Sequence, residues 1–158
     1  MLNMAPLTKD LTKPDNSMNI IRGLETLMRA DYSIGLDGSG NPLVFGAGQW
    51  AVLSATGTLT LATATAVANT FPVWAGNSSD RSDVHATGMA TILLGGRFIY
   101  QTNLFDTTAT YLAGSPITVK VVGANDRVPT LATGTDIVLG RVITPPVNGI
   151  ITLEVVRN

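Results

Sequence analysis

Read for its alternation of apolar and polar positions, the chain divides into an irregular start and a long series of short β-type runs. Residues 1–19 carry Pro6 and Pro14 among polar side chains and show no periodicity, which predicts extended chain. Ile20, Ile21, Leu24, Leu27 and Met28 then recur at the spacing of one helical face, so the pattern predicts at most one short helix, near Ile20 to Arg29. Gly23 weakens that helix. Three readings of the segment stay open: a helix capping its own barrel, an anchor laid on another subunit, or extended chain.

From Tyr32 onward, β-branched and aromatic alternation predicts strands at Tyr32–Leu36, Gln49–Ser54, Thr58–Thr63, Phe71–Trp74, Met89–Leu94, Arg97–Thr102, Ile117–Val122, Ile137–Thr144 and Ile150–Val156. LDGSGNP and PPVNG mark reversals, and Gly95-Gly96 reads as a tight hairpin turn. That turn would place Leu93 beside Phe98 on one face and Ile92 beside Ile99 on the other, giving a ribbon apolar on both faces. The second face would need a cover from the arm, a loop or another subunit. The expected fold is therefore all-β: an arm over 1–31 holding the short helix, and a body over 32–158 that is a small β-barrel, β-tulip or sandwich.

Composition narrows the function classes. The 158 residues are 45% hydrophobic, enough for one domain with a true core. There is no cysteine and only one histidine, so disulfides, thiolate chemistry and sites built on two imidazoles are excluded. Charged residues are 13%, with ten basic against eleven acidic, and the basic ones are scattered singly, so nucleic acid is not an expected partner. Gly38 to Ser79 carries no charge at all, but Gly, Asn, Pro, Gln and Thr interrupt it too often for a membrane span. This run reads either as a polar-neutral β surface or as a face buried against a copy or another protein. Lys9, Asp10, Lys13 and Asp15 stand where an export signal would need an apolar stretch, so synthesis in the cytoplasm is expected.

Candidate chemistry is thin. His85 lies among Ser78, Ser79, Asp80, Ser82 and Asp83, but triad members normally come from separate segments, and no G-x-S-x-G elbow is present. Those carboxylates with Asn77 lack the D-x-[DN]-x-[DN]-G pattern of a Ca²⁺ loop, and Gly35, Gly38 and Gly40 lack the Gly-Lys-Ser/Thr of a phosphate cradle. No catalytic residue, cofactor or metal is expected. Trp50, Phe71, Trp74, Phe98, Tyr100, Phe105 and Tyr111 could line a sugar groove, though one large aromatic per strand is also how a small β core is filled.

A resemblance adds to this reading. The text from GQWAVLSATGTLTLATA through VWAGNSSDRSDVHATGMATILLGGRFIYQT to YLAGSPITVKV and ATGTDIVLGRVITPPVNGIITLEVV resembles small capsid decoration (cement) proteins of tailed bacteriophages, over about the last two thirds of the chain. Its texture is Tyr111-x-x-Gly114-x-Pro116 before an alternating strand, then Gly134 to Val142 as Gly-x-Asp-x-Val-x-Gly-x-Val, then a final strand after Asn-Gly. The resemblance implies a β-barrel or β-tulip body, an arm that binds across capsomers, and no catalytic residues. The expected role is a structural virion protein on the capsid surface, with the major capsid protein and copies of itself, a trimer or else a dimer, as partners. Leu2, Leu7, Leu11, Ile20, Leu24 and Leu27 are the arm's candidate apolar contacts. The alternative is a phage fibre or a receptor- or carbohydrate-binding β module.

Overall fold

A computed structural model describes residues 18–23, 27–43, 48–61, 68–74, 88–122 and 126–157. All regular structure in them is β: β1 (Asn19–Arg22), β2 (Met28–Ile34), β3 (Trp50–Leu53), β4 (Thr58–Leu61), β5 (Thr70–Pro72), β6 (Met89–Thr102), β7 (Pro116–Val122), β8 (Asp126–Leu131), β9 (Gly140–Val147) and β10 (Ile150–Arg157). The sheet runs β5-β3-β4-β2-β6-β10-β9-β7-β8, with β1 paired to β6 off that path, and curls into a half-barrel.

The long strand β6 organises both halves. Its first half pairs with β2 (Arg29↔Leu93 to Ser33↔Met89) and its second half with β10 (Ile151↔Thr102 to Arg157↔Gly96). β2 runs parallel to β4, β4 pairs with β3, and β3 with β5. The chain after β5 then returns to β6 through a Val73↔Ile92 bridge and the Trp74 N–H donating to the Thr91 carbonyl at 2.9 Å. This side of the molecule therefore comes close to closing on itself, around a small core of Ile34, Ala51, Leu59, Val73, Ala90 and Ile92. Alternation on β3 sends Ala51 into that core and Trp50 out of it into a second, larger one. That cluster, on the inner face of the curled sheet, joins Trp50 with Leu93, Phe98, Tyr100, Ile117, Val119, Val142, Leu153 and Val155.

Gly95-Gly96 is not a hairpin. It lies in the middle of β6, which runs on through it without reversing direction. Leu93 and Phe98 share the larger core, yet five positions along an undisturbed strand would put them on opposite faces. The parity changes where the β2 register slips between Met28 and Arg29 and Gly96 takes a positive φ of 105°, a bulge-like shift that lets one strand serve both halves. Two glycines between apolar runs satisfy a hairpin and a bend equally well, and pairing with β2 and β10 selects the bend. The second apolar face of the strand is covered by β3, β4 and β5 of the same chain. The charge-free segment thus supplies these three strands.

The short helix is replaced by strand as well. Asn19–Arg22 pairs with Gln101, Tyr100 and Ile99, and Met28 already belongs to β2. Between them Gly23 adopts φ 89° and packs so closely on β6 that a Cβ there would overlap the Arg97 carbonyl oxygen. A short segment beside an open strand edge gains more from ladder hydrogen bonds than from an isolated helical turn. β8 was not expected, because Pro129 and two charges interrupt its apolar pattern. Among the described residues it is an end strand paired only with β7, where a missing N–H is tolerated. Asp37 turns the LDGSGNP reversal by accepting from the Ser39 and Asn41 N–H groups at 2.8 and 2.9 Å. Asn148 (φ 52°) and Gly149 (φ 76°) form the tight turn between β9 and β10. On its other edge β9 pairs with β7 only at Gly140 and Arg141, so Pro145 and Pro146 lie beyond that pairing.

Candidate functional site

The arm residues singled out in the sequence fall in two groups. Leu2, Leu7, Leu11 and Leu24 lie outside the described residues. Ile20 and Leu27 are half-buried and pack against the larger core, while their neighbour Met18 is fully buried in it. Ile21 and Met28 point outward, exposed by 47% and 62%. His85 and the Ser/Asp set around it also lie outside the described residues. Of the seven candidate aromatics, Trp50, Phe98, Tyr100, Phe105 and Tyr111 are buried. Phe71 and Trp74 are half-buried beneath cations, with the Arg157 guanidinium 4.6 Å and the Arg29 guanidinium 4.7 Å from their ring centres.

The most chemically organised surface is on the outer face of the curled sheet. Outward positions of β10 are Thr152, Glu154 and Val156, opposite the inward Ile151, Leu153 and Val155. The register sets Glu154 beside Arg141 of β9 and Ile99 of β6, with Arg97 beside Val156. Arg97 donates to Glu154 Oε1 through Nε at 2.6 Å and Nη2 at 2.5 Å, and Arg141 donates through Nε to Oε2 at 2.5 Å. The carboxylate side chain is only 3% exposed, covered at close range by arginines that are themselves 67% and 55% exposed. Burial pushes its carboxyl up, but the hydrogen bonds and charges of Arg141 and Arg97 outweigh that and hold it below the ordinary glutamate value.

This arrangement floors a cleft of about 440 Å³, walled by Pro116, Val138, Leu139 and Val156 and opened by Gly114 and Gly140. A smaller groove of about 190 Å³ continues past Arg97 to Arg22 and Ile99. Gly140 is required here because β9 and β10 approach so closely that a Cβ would overlap the Glu154 backbone oxygen. Nothing local in the sequence brings Arg97, Arg141 and Glu154 together. The one usable signal is a charged residue inside the apolar run ITLEVV, which demands a partner.

A second polar knot holds the 103–115 loop. Asp106 accepts from the Thr108 N–H (2.9 Å), the Thr108 hydroxyl (2.6 Å) and the Thr130 hydroxyl (2.8 Å). The Tyr111 hydroxyl donates to the Asp106 carbonyl at 2.8 Å, and burial pushes that phenol up to about 12. Trp50 Nε1 and Tyr100 Oη are buried in the larger core without completing a hydrogen bond, although the indole lies near enough to offset slightly the upward push of burial on the Tyr100 phenol. These groups are structural: each fixes a loop or fills a core.

Among the described residues no group of three or more His, Asp or Glu side chains could hold a metal ion, and no helix is long and apolar enough to cross a membrane. Comparison with models of known protein families, with curated proteins and with solved structures finds no match.

Proposed function

We propose that the chain is a structural virion protein that decorates and stabilises a tailed-phage capsid by binding across neighbouring subunits of the major capsid protein. The observation that carries this reading is how the N-terminal segment is rooted. Residues 1–17 lead into Met18, fully buried in the larger core, and into β1, hydrogen-bonded along β6. Tension on a bound arm would pass through β1 into β6, the strand that both halves share. A thinly charged surface with exposed Leu36, Leu112, Val138 and Val147 suits contact over large neutral areas, repeated in many copies. In this reading the protein self-associates, a trimer before a dimer, is made in the host cytoplasm and ends on the capsid surface, with no reaction to catalyse. The fibre or carbohydrate-binding alternative is weakened by the burial of most of the aromatics that would form a sugar groove.

The test is co-sedimentation of the full chain with expanded tailed-phage capsids stripped of decoration. Saturation at a fixed ratio to the major capsid protein is expected. A variant lacking residues 1–17, which keeps Met18 and β1, should remain folded and bind at least about tenfold more weakly, the loss of a single buried leucine's worth of contact. Binding to glycans or cells without binding to capsids would overturn the reading, and equal capsid affinity of the truncated form would remove the arm from it.

A further inference from the structure

We infer that the cleft over Glu154 is a docking site for a carboxylate presented on an apolar stretch of another protein, a short acidic-hydrophobic segment. Three features of the cleft converge on that ligand, and none of them depends on the arm or on the capsid reading.

The first is charge. Two guanidinium groups share one carboxylate, which leaves the cluster net positive in a chain whose net charge is -1. Arg22, in the adjoining groove, adds a further positive charge. The second is geometry. Glu154 engages the Nε of both arginines and one terminal nitrogen, Nη2, of Arg97, fixing two flexible side chains that stay more than half exposed, with Arg141 held through Nε alone. A guanidinium oriented through Nε and open at its far nitrogens is prepared to donate to a second carboxylate. The third is the wall: Val138 and Val156 are exposed by 59% and 48% beside these cations, and the glycines at 114 and 140 leave room for about one or two side chains.

The same features argue against a bare inorganic anion. An apolar wall contributes nothing to phosphate, whose full hydration shell would have to be stripped against Val138 and Val156. A carboxylate flanked by apolar side chains uses both the cations and the wall.

The test uses the full-length protein and two probes, acetyl-Leu-Glu-Leu-amide and acetyl-Leu-Gln-Leu-amide, followed by NMR of the Gly114 and Gly140 amides and the Arg97 and Arg141 Nε–H groups. The glutamyl peptide should shift these signals saturably, with the glutaminyl peptide at least about tenfold weaker. Arg141→Gln should abolish the response while leaving the rest of the spectrum in place. Val138→Ser, at an exposed wall position away from the ion pair, should weaken it several-fold. The inference is overturned if the glutamyl peptide gives no saturable shift up to about 10 mM, or if the two peptides bind alike. It is also overturned if inorganic phosphate displaces the peptide at lower concentration than the peptide itself binds, or if the shifts track self-association by sedimentation.

Discussion

Replacing Gly140 by alanine tests how tightly the curled sheet is drawn together. Gly140 pairs with Ile117 of β7 on one side and Val155 of β10 on the other. An added Cβ would sit well inside the 3.0 Å that real Cβ atoms keep from Glu154 O, and at 3.1 Å from Glu154 C and 3.2 Å from Val155 Cα. All three are backbone atoms, so no rotamer change relieves the overlap and β9 must move away from β10. Separation weakens the ladder at Gly140, about 1 kcal/mol for each hydrogen bond lost, and loosens the Arg141–Glu154 pair one position along. Against this stands a gain of up to about 1 kcal/mol from restricting the unfolded chain. The net expectation is a loss of about 2 to 4 kcal/mol, which for a chain of 158 residues lowers Tm by about 5 to 15 °C. Gly38→Ala is the control: nothing lies within 4 Å of its would-be Cβ, and its Tm should stay within about 2 °C of the parent. Differential scanning calorimetry of the two variants decides the matter. A Gly140→Ala protein as stable as the parent would show that β9 and β10 are not in this register.

Gly96→Ala, at φ 105°, should cost about 1 to 3 kcal/mol. Gly95→Ala, whose Cβ would come closest to the terminal methyl of Met28 at 3.3 Å, with Met28 Cβ and the Arg157 carbonyl oxygen both at 3.8 Å, should cost less than about 1 kcal/mol in urea unfolding; equal costs would argue against the mid-strand bend. At high pH, the buried Tyr111 stays protonated to about 12 while its unfolded counterpart ionises near 10.0, so stability should be flat below 10 and fall as pH rises toward 12. Tyr111→Phe should flatten that fall and lose about 1 kcal/mol at neutral pH with the hydrogen bond to Asp106; an unchanged alkaline slope in urea midpoints would refute the assignment. Glu154 behaves in the opposite sense: its folded carboxyl titrates below 4.5, so its stabilisation is present above that pH and is lost as pH falls through the folded value. Glu154→Gln should therefore be less stable than the parent at pH 7, with a shallower acid limb in the same assay.

Local chemistry was readable wherever local geometry decides the structure. Asn148-Gly149 has the residues its turn demands, and Asp37 caps its own reversal through neighbours two and four positions away. Most strands were likewise visible, because one face of each is buried and alternation follows. The failures were positions with two locally adequate solutions. Gly95-Gly96 fits a turn or a bend, and Ile20 to Met28 fits a helical face or two strands. In each case β6 chose, and its partners are remote in the chain. The Arg97–Glu154–Arg141 cluster was illegible for the same reason, since its members meet only through the registers of β6, β9 and β10. β8 was hidden by Pro129, whose tolerance depends on occupying the end of the sheet.

The two prolines near the end of β9 have a consequence for crowding. Copies of a protein with 13% charged residues have little electrostatic repulsion to keep them apart when packed at high density, and an unpaired strand edge is then an invitation to zip onto a neighbour. Neighbouring residues of a strand point their N–H groups to opposite edges, so whichever of Pro145 and Pro146 faces away from β10 leaves a gap in the ladder of a foreign strand laid along the stretch of β9 that extends past β7. Edge-to-edge pairing at that rim is thus opposed by a withheld hydrogen-bond donor, a device that salt does not screen and pH does not titrate.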